Sequence, residues 1–205
     1  MKATLRTSLP VLALALLAAC GGARSVSSVA TYDLGPQAAA PNNRVVASLA
    51  SLDVHAAPWL ESSAMQYRLA YAVSQRRQAY AESRWAATPA ELLAHALRKR
   101  MLSGPAEGAC RLRVELDEFV QVFDEEKSSR ALLEARAQLV APGDGAVLAR
   151  HDFSLARPAA SADAAGGAAA LAEAAAGLSA QLRDWLGGLD AAGAGGLNIA
   201  KRCRR

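Results

Sequence analysis

From Cys110 onward, hydrophobic and polar residues alternate along the chain. Leu112, Val114 and Leu116 share one parity, and Arg111, Arg113 and Glu115 take the other. A period of two is the pattern of a strand with one buried face. The alternation slips at Asp117-Glu118-Phe119, where one extra residue in a β-bulge would restore it. Phe123 to Arg130 reads as a charged turn, after which Leu133, Ala135, Ala137 and Leu139 line one face of a second strand. Pro142 to Gly145 is a strong turn signal. Val147, Ala149, Phe153 and Leu155 then line a third strand, with His151 interrupting the apolar set. Three such strands in succession predict an antiparallel meander.

Two segments carry the helical period instead. Thr88-Pro89-Ala90-Glu91 places a cap residue, a proline at the first helical position and a glutamate three residues after the cap, which is a capping box. Leu93, Leu97 and Met101 follow at four-residue spacing, with Leu92 and Ala96 widening the stripe. Arg98, Lys99 and Arg100 sit where the helix dipole favours cations, and Ser103-Gly104-Pro105 ends the run. The expectation is a helix over 89–102. Farther on, Leu171, Leu178 and Trp185, with Ala175, Leu182 and Leu189, form a three-four seam that predicts a second amphipathic helix over 168–186. The stretch before it, about 159–170 and including Gly166 and Gly167, reads as an alanine- and glycine-rich linker.

Before the first helix the pattern is less regular. Thr31 to Leu34 has strand-like residues and reads as a short edge strand; Pro41 to Arg44 is a turn signal. Val45 to Val54 is apolar on both parities, as expected of a strand buried on both faces. Pro58 breaks that run. Met65, Tyr67 and Leu69 alternate with Gln66 and Arg68, a hairpin turn is expected near 75–78, and Ala79 to Trp85 forms the return leg.

The first twenty residues have another logic. Lys2 and Arg6 precede an apolar stretch from Leu9 to Ala19, interrupted only by Pro10. Eleven helical residues reach only ~16 Å, about half the ~30 Å of a bilayer core. A basic start and a short apolar run ending in small residues are the parts of an export signal. Leu17-Ala18-Ala19-Cys20 resembles the bacterial lipobox, in which the cysteine is acylated and becomes the new N-terminus. The other reading is an ordinary secretory signal cut near Ala19. Gly21, rather than an aspartate, follows Cys20, and the resemblance then implies sorting to the outer membrane.

Charge and cysteines refine this. Of 23 basic residues, Lys2 and Arg6 would leave with the signal, so 21 remain against 19 acidic ones. Four of the 21 lie in the terminal Lys201-Arg202-Cys203-Arg204-Arg205. The body therefore lacks the basic face that nucleic-acid binding requires, and no nucleic-acid partner is expected. Beyond Cys20 the chain has Cys110 and Cys203. In an oxidising compartment they can bridge, closing a loop of about ninety residues worth ~4–5 kcal/mol in the chain-entropy model. The alternative is two free thiols.

Candidate chemistry is sparse. His55, His95 and His151 lack ligand spacing to one another, and no HExxH, GxSxG or phosphate-cradling glycine loop is present. Asp117, Glu118, Asp124, Glu125 and Glu126 read as solvated hairpin charges. The expectation is a non-enzymatic protein with no cofactor and no metal. Trp59, Tyr67, Tyr71, Tyr80 and Trp85 cluster in sequence. They read either as cross-strand pairs of a hairpin or as a contact surface for lipid or a partner protein.

These residues also carry a family resemblance. Pro58-Trp59-Leu60, Tyr67-Arg68, Tyr80 with Arg84-Trp85, and Pro89 opening a helix, with Tyr32 and Leu34 upstream, resemble the ABC-type transport auxiliary lipoproteins over about Tyr32 to Leu189. The resemblance implies an α+β fold: an antiparallel sheet with two helices packed on one face. It also implies an outer-membrane lipoprotein, its domain in the periplasm, that docks or scaffolds an MCE-type intermembrane lipid transport system. The partners would be an MCE-domain periplasmic protein and its ABC permease and ATPase, with self-association open and no catalytic residues to carry over. A lipid-binding carrier or assembly chaperone is the competing class. The expected organisation is a signal peptide at 1–19, an acylated tether at 20–40, the domain at 41–190 and a flexible basic tail at 191–205.

Overall fold

The computed structural model describes residues 28–36, 49–102, 108–191 and 199–203. Its elements in order are β1 (Ala30–Tyr32), β2 (Leu49–Ala56), a 3-10 turn (Pro58–Leu60), β3 (Ala64–Leu69), α1 (Ala70–Val73), β4 (Arg77–Trp85), α2 (Pro89–Met101), β5 (Cys110–Glu125), β6 (Ser128–Val140), β7 (Val147–Pro158), α3 (Ala164–Ala191) and α4 (Ile199–Arg202).

All seven strands belong to one sheet, in the order β1-β4-β3-β5-β6-β7, with β2 also pairing with β5. The architecture is α+β, but the sheet is mixed, not antiparallel throughout. The meander is antiparallel as expected, whereas β2 and β3 both run parallel to β5 and β1 runs parallel to β4. The cause is topological. β2 pairs with Cys110–Leu116 and β3 with Gln121–Phe123, so the two lie end to end along one edge of β5. Pro58–Leu60 is a short excursion between them. A chain that returns parallel needs a crossover, and α2 supplies it.

The bulge expected near Asp117 is present: the β5–β6 register shifts between Leu116 and Glu118. The turn after it is shorter than the sequence suggested, because strand pairing continues through Glu125↔Ser128. Gly143 and Gly145 both have positive φ, and Ala141 N–H closes that loop on the Ala146 carbonyl at 2.8 Å.

Helices α2 and α3 cover one face of the sheet. Leu93, Leu97 and Met101 from α2 and Leu171, Ala174, Ala175, Leu178 and Leu182 from α3 are buried against Leu112, Leu116, Leu133 and Leu139. The α2 capping box is complete: Glu91 N–H donates to Thr88 Oγ1 at 3.4 Å, and Thr88 N–H to Glu91 Oε2 at 3.0 Å. These bonds from Thr88 hold the Glu91 carboxyl below its ordinary range.

Several expectations are corrected. β2 is not buried on both faces; Leu49 and Leu52 are buried, while Asp53 and His55 are exposed, and Val45 lies outside the described residues. The β3–β4 connection is the single helical turn α1, and Arg77 and Gln78 already belong to β4. α3 starts at Ala164, not Ala168, with Asp163 Oδ1 accepting from Gly166 N–H at 2.8 Å. Gly166 and Gly167 are therefore helical positions. A Cβ at Gly167 would collide with the buried Gln121 side chain, and one at Gly166 with Ser161; these glycines permit close approach. The stretch expected as a loose tail contains α4, whose Ile199, like Cys203 after it, is buried.

Candidate functional site

The face of the sheet opposite α2 and α3 is polar over most of its area. Arg136 lies at its centre on β6. Its Nε donates to Asp152 Oδ1 at 2.9 Å, and its guanidinium faces Glu115 and Asp117 at 3.8 and 3.9 Å. The bond to Asp152 and the fields of Asp117, Asp152 and Glu115 raise its already high pKa, so it stays a cation. Asp117, Glu134, Arg136, Asp152 and Ser154 border an open depression of about 260 Å³.

Beside this lattice, the 3-10 turn presents Trp59, which is 52% exposed. It is nonetheless fixed in place. Its Nε1 donates to the Asp117 carbonyl at 3.3 Å, Gln66 Nε2 donates to its own carbonyl at 2.7 Å, and the Arg77 guanidinium sits 5.6 Å from its ring centroid. Arg77 is held in turn by Gln66 Oε1 at 2.8 Å and by Glu118 Oε1 at 2.5 Å. Arg68 Nη2 reaches the same Glu118 oxygen at 3.0 Å, while its Nη1 donates to the carbonyls of Ser74 and Gln75. All three charged side chains are about four-fifths covered. Glu118 Oε2 is buried, and no donor among the described residues reaches it. The reach of Arg68 to the end of α1, with Val120 and Val122 buried on this side, places α1 over one corner of the face.

The five aromatics, read either as cross-strand pairs or as a contact surface, divide. Trp59 and Tyr71 are exposed, Tyr71 at 47%. Trp85 is not a surface residue: it is 2% exposed and packs on Phe119 with ring centroids 5.4 Å apart. It lies on the helix-covered side of β4, where the apolar core claims the indole. Tyr67 and Tyr80 are half-buried neighbours at 4.7 Å, as cross-strand pairing predicts. Tyr80 Oη donates to Gln121 Oε1 at 2.8 Å, and Gln121 Nε2 to Ser129 Oγ at 2.8 Å. Burial, then the charges of Tyr67 and Asp163, push the Tyr80 phenol above its ordinary range. This buried polar chain sits under Gly167 and had no signal in the sequence. The Arg68–Glu118–Arg77 triad was also missed; its only trace is charge at strand positions that face away from the apolar parity.

Cys110 and Cys203 are joined, with Sγ atoms 2.02 Å and Cα atoms 4.9 Å apart, and Ala109 N–H donates to the Cys203 carbonyl at 2.7 Å. Cys20 lies outside the described residues. His55 and His95 are exposed, and His151 stacks on Trp185 at 5.9 Å. Among the described residues no three His, Cys, Asp or Glu side chains are grouped to hold a metal ion, and none of the described helices is long and apolar enough to cross a membrane.

A family model described as the ABC-type transport auxiliary lipoprotein component matches residues 32–183, from the end of β1 through most of α3. The chain belongs to this family. Membership makes it a transport-associated lipoprotein, attached to a membrane through lipid, and an auxiliary component whose family name carries no reaction. The fold agrees with solved structures. A protein from Xanthomonas campestris superposes with a TM-score of 0.63 at 22% identity, covering 78% of this chain and 98% of its own. A second crystal structure, of an uncharacterized protein, gives 0.60 at 14% identity over 78% and 99%. Such identities establish a shared fold. No curated protein matches the chain.

Proposed function

We propose that this auxiliary lipoprotein is acylated on Cys20, held at the outer membrane, and docks an MCE-type ABC lipid transport system through the uncovered face of its sheet. In this reading residues 1–19 are removed, the chain from Cys20 to β1 tethers the domain, the domain runs from β1 through α3 and takes in the disulfide-held α4, and the protein catalyses no reaction.

The observation that carries the proposal is Trp59. A half-exposed tryptophan costs little in isolation, but here hydrogen bonds and a cation–π contact fix its orientation on the solvent side. Large pre-oriented aromatics contribute most of the affinity at protein interfaces, because little entropy remains to be lost on binding. Around Trp59 the charged lattice of Arg136 and its carboxylates supplies a polar rim of both signs. The carrier alternative draws no support from the sheet–helix interface, where Leu93, Leu97, Leu112, Leu133, Leu178 and Leu182 are fully buried by one another.

The test is isolation of the natively produced protein from membranes, with the mass of its N-terminal peptide and the identity of its partners both read. The expected outcome is a Cys20 bearing acyl chains and a co-isolated MCE-domain protein. Recovery with stoichiometric lipid and without that partner would favour carriage and overturn docking.

A further inference from the structure

We infer that the β3–β4 hairpin tip, through Tyr71 and Val73 of α1, seats in the headgroup layer of the bilayer that holds the protein, so that the opposite, basic end of the sheet points away from the membrane. The inference deepens the proposed function and rests on acylation of Cys20. Three observations combine.

The first is chain direction. β1 runs parallel to β4, with Ala30 beside Ser83 and Tyr32 beside Trp85. β4 itself runs away from the hairpin, so the N-terminal end of β1 points toward the hairpin tip. The chain arriving from Cys20 enters on that side and would have to double back to serve the other end.

The second is reach. Nine residues separate Cys20 from Ala30, a connection of at most ~36 Å when extended and of ~17–19 Å on average when flexible. From Ser83 back to Arg77 is six strand residues, or about 20 Å at ~3.3 Å per residue. The length of chain between Cys20 and β1 therefore suffices to let the tip reach the bilayer.

The third is chemistry. Of the exposed large hydrophobics among the described residues, Tyr71 (47%) and Val73 (50%) lie together on the tip, whereas Trp59 is on the outer face, Val29 lies beside the middle of the sheet and Val147 stands alone at the other end. A tyrosine with an apolar body and a polar tip suits the headgroup boundary. At the other end, α2 closes with Arg98, Lys99 and Arg100, β5 opens with Arg111 and Arg113, and the Cys110–Cys203 link brings Lys201 and Arg202 beside them. The tip itself carries Arg76, exposed and bonded through its N–H to the Val73 carbonyl, and the adjacent β5–β6 turn carries Glu125 and Glu126 with Lys127, so this end is of mixed charge. Two side chains bury too little area to bind a bilayer from solution, but the tether makes the contact intramolecular and raises its effective concentration.

The test is hydroxyl-radical footprinting of the natively acylated full chain in vesicles of phosphatidylethanolamine and phosphatidylcholine, with no transport partner present. Against the same chain in detergent-free solution without its acyl groups, Tyr71 labelling should fall by about three-fold or more as the ring leaves water, with Trp59 labelling unchanged. Val73→Asp should return Tyr71 to its solution rate. Equal Tyr71 labelling in the two states would overturn the inference, as would protection confined to the basic end and growing with phosphatidylglycerol. An unmodified Cys20 would overturn it together with the membrane reading, whereas loss of MCE association alone leaves the Tyr71 result standing.

Discussion

Strands β5 and β6 show two different faces to two different environments. Toward α2 and α3, Leu112, Val114, Leu116, Leu133, Ala135, Ala137 and Leu139 are at most 2% exposed. Toward the other side the same strands carry Arg113, Glu115, Glu134, Arg136 and Gln138, and Arg136 pairs across strands with Glu115, Asp117 and Asp152. The difference teaches that stability and recognition are separated by the pleat. One parity supplies the fold, and the next residue along each strand is available for other work. Trp85 and Trp59 make the same contrast: one is locked into the core against Phe119, the other is locked facing outward.

That separation is breakable by substitution. Leu133→Ala, on the packed face at 0% exposure, should cost about 3 kcal/mol through lost contacts and the cavity left behind. A denaturant titration reads this directly, and a cost below that of surface substitutions would mean the core is not where it is placed here. Glu118→Gln tests a corner where the outer face is itself nearly buried. Removing a carboxylate between two four-fifths-covered arginines should cost about 2 kcal/mol, between the ~1 of exposed pairs and the ~3–5 of fully buried ones. It should also free Arg77 and loosen Trp59, visible as a red-shifted indole emission. Gly167→Ala should cost about 1–2 kcal/mol by displacing Gln121 from its bonds to Tyr80 and Ser129, despite alanine's better helix propensity. A stabilised variant would show that the contact has room.

The smallest effects belong to exposed charges. Arg136→Ala should leave the denaturation midpoint within the spread of other surface substitutions, because Arg136 is 42% exposed and its partners Glu115 and Asp152 are 43% and 77% exposed. Asp163 caps α3, and its carboxyl is held below its ordinary range by Gly166 N–H, then by the Ser161 hydroxyl and Ala165 N–H. A depressed carboxyl stabilises the fold above its unfolded pKa and loses that contribution as the pH falls through the folded pKa. Asp163→Ala should therefore melt about 2–4 °C below the parent near neutrality, as expected for a lost cap of ~1 kcal/mol in a chain of this size. The two melting curves should converge as the pH drops below about 4; a gap that persists in acid would mean the cap acts through packing.

Much of this was legible in the sequence, and the misses share a cause. The meander, its bulge, the Pro142–Gly145 turn and the capped α2 are written in local signals: parity, turn residues and a box of three side chains. The parallel run of β2 and β3 is not, because parity reports burial and says nothing about which neighbour a strand chooses or in which direction. Gly166 and Gly167 read as linker because glycine disfavours helices on average; the role of Gly167 lies in Gln121, more than forty residues away in sequence, and that of Gly166 in the fold of the chain back onto Ser161. Trp85 and Trp59 look alike in the chain, and only the sheet's facing tells them apart. Of the candidate surface, Trp59 and Tyr71 were readable as aromatics, while the Arg68–Glu118–Arg77 brace needed the pairing of β3 with both β4 and β5.

In the proposed function, the part of the uncovered sheet face around Trp59 is the docking surface for an MCE-domain partner. The direct measurement is the affinity of the mature chain and of Trp59→Ala for the MCE-domain protein, alongside the thermal midpoint of each. The account predicts binding at least about ten-fold weaker at an unchanged midpoint, as for an interface anchor. Equal affinity in the two proteins would contradict it.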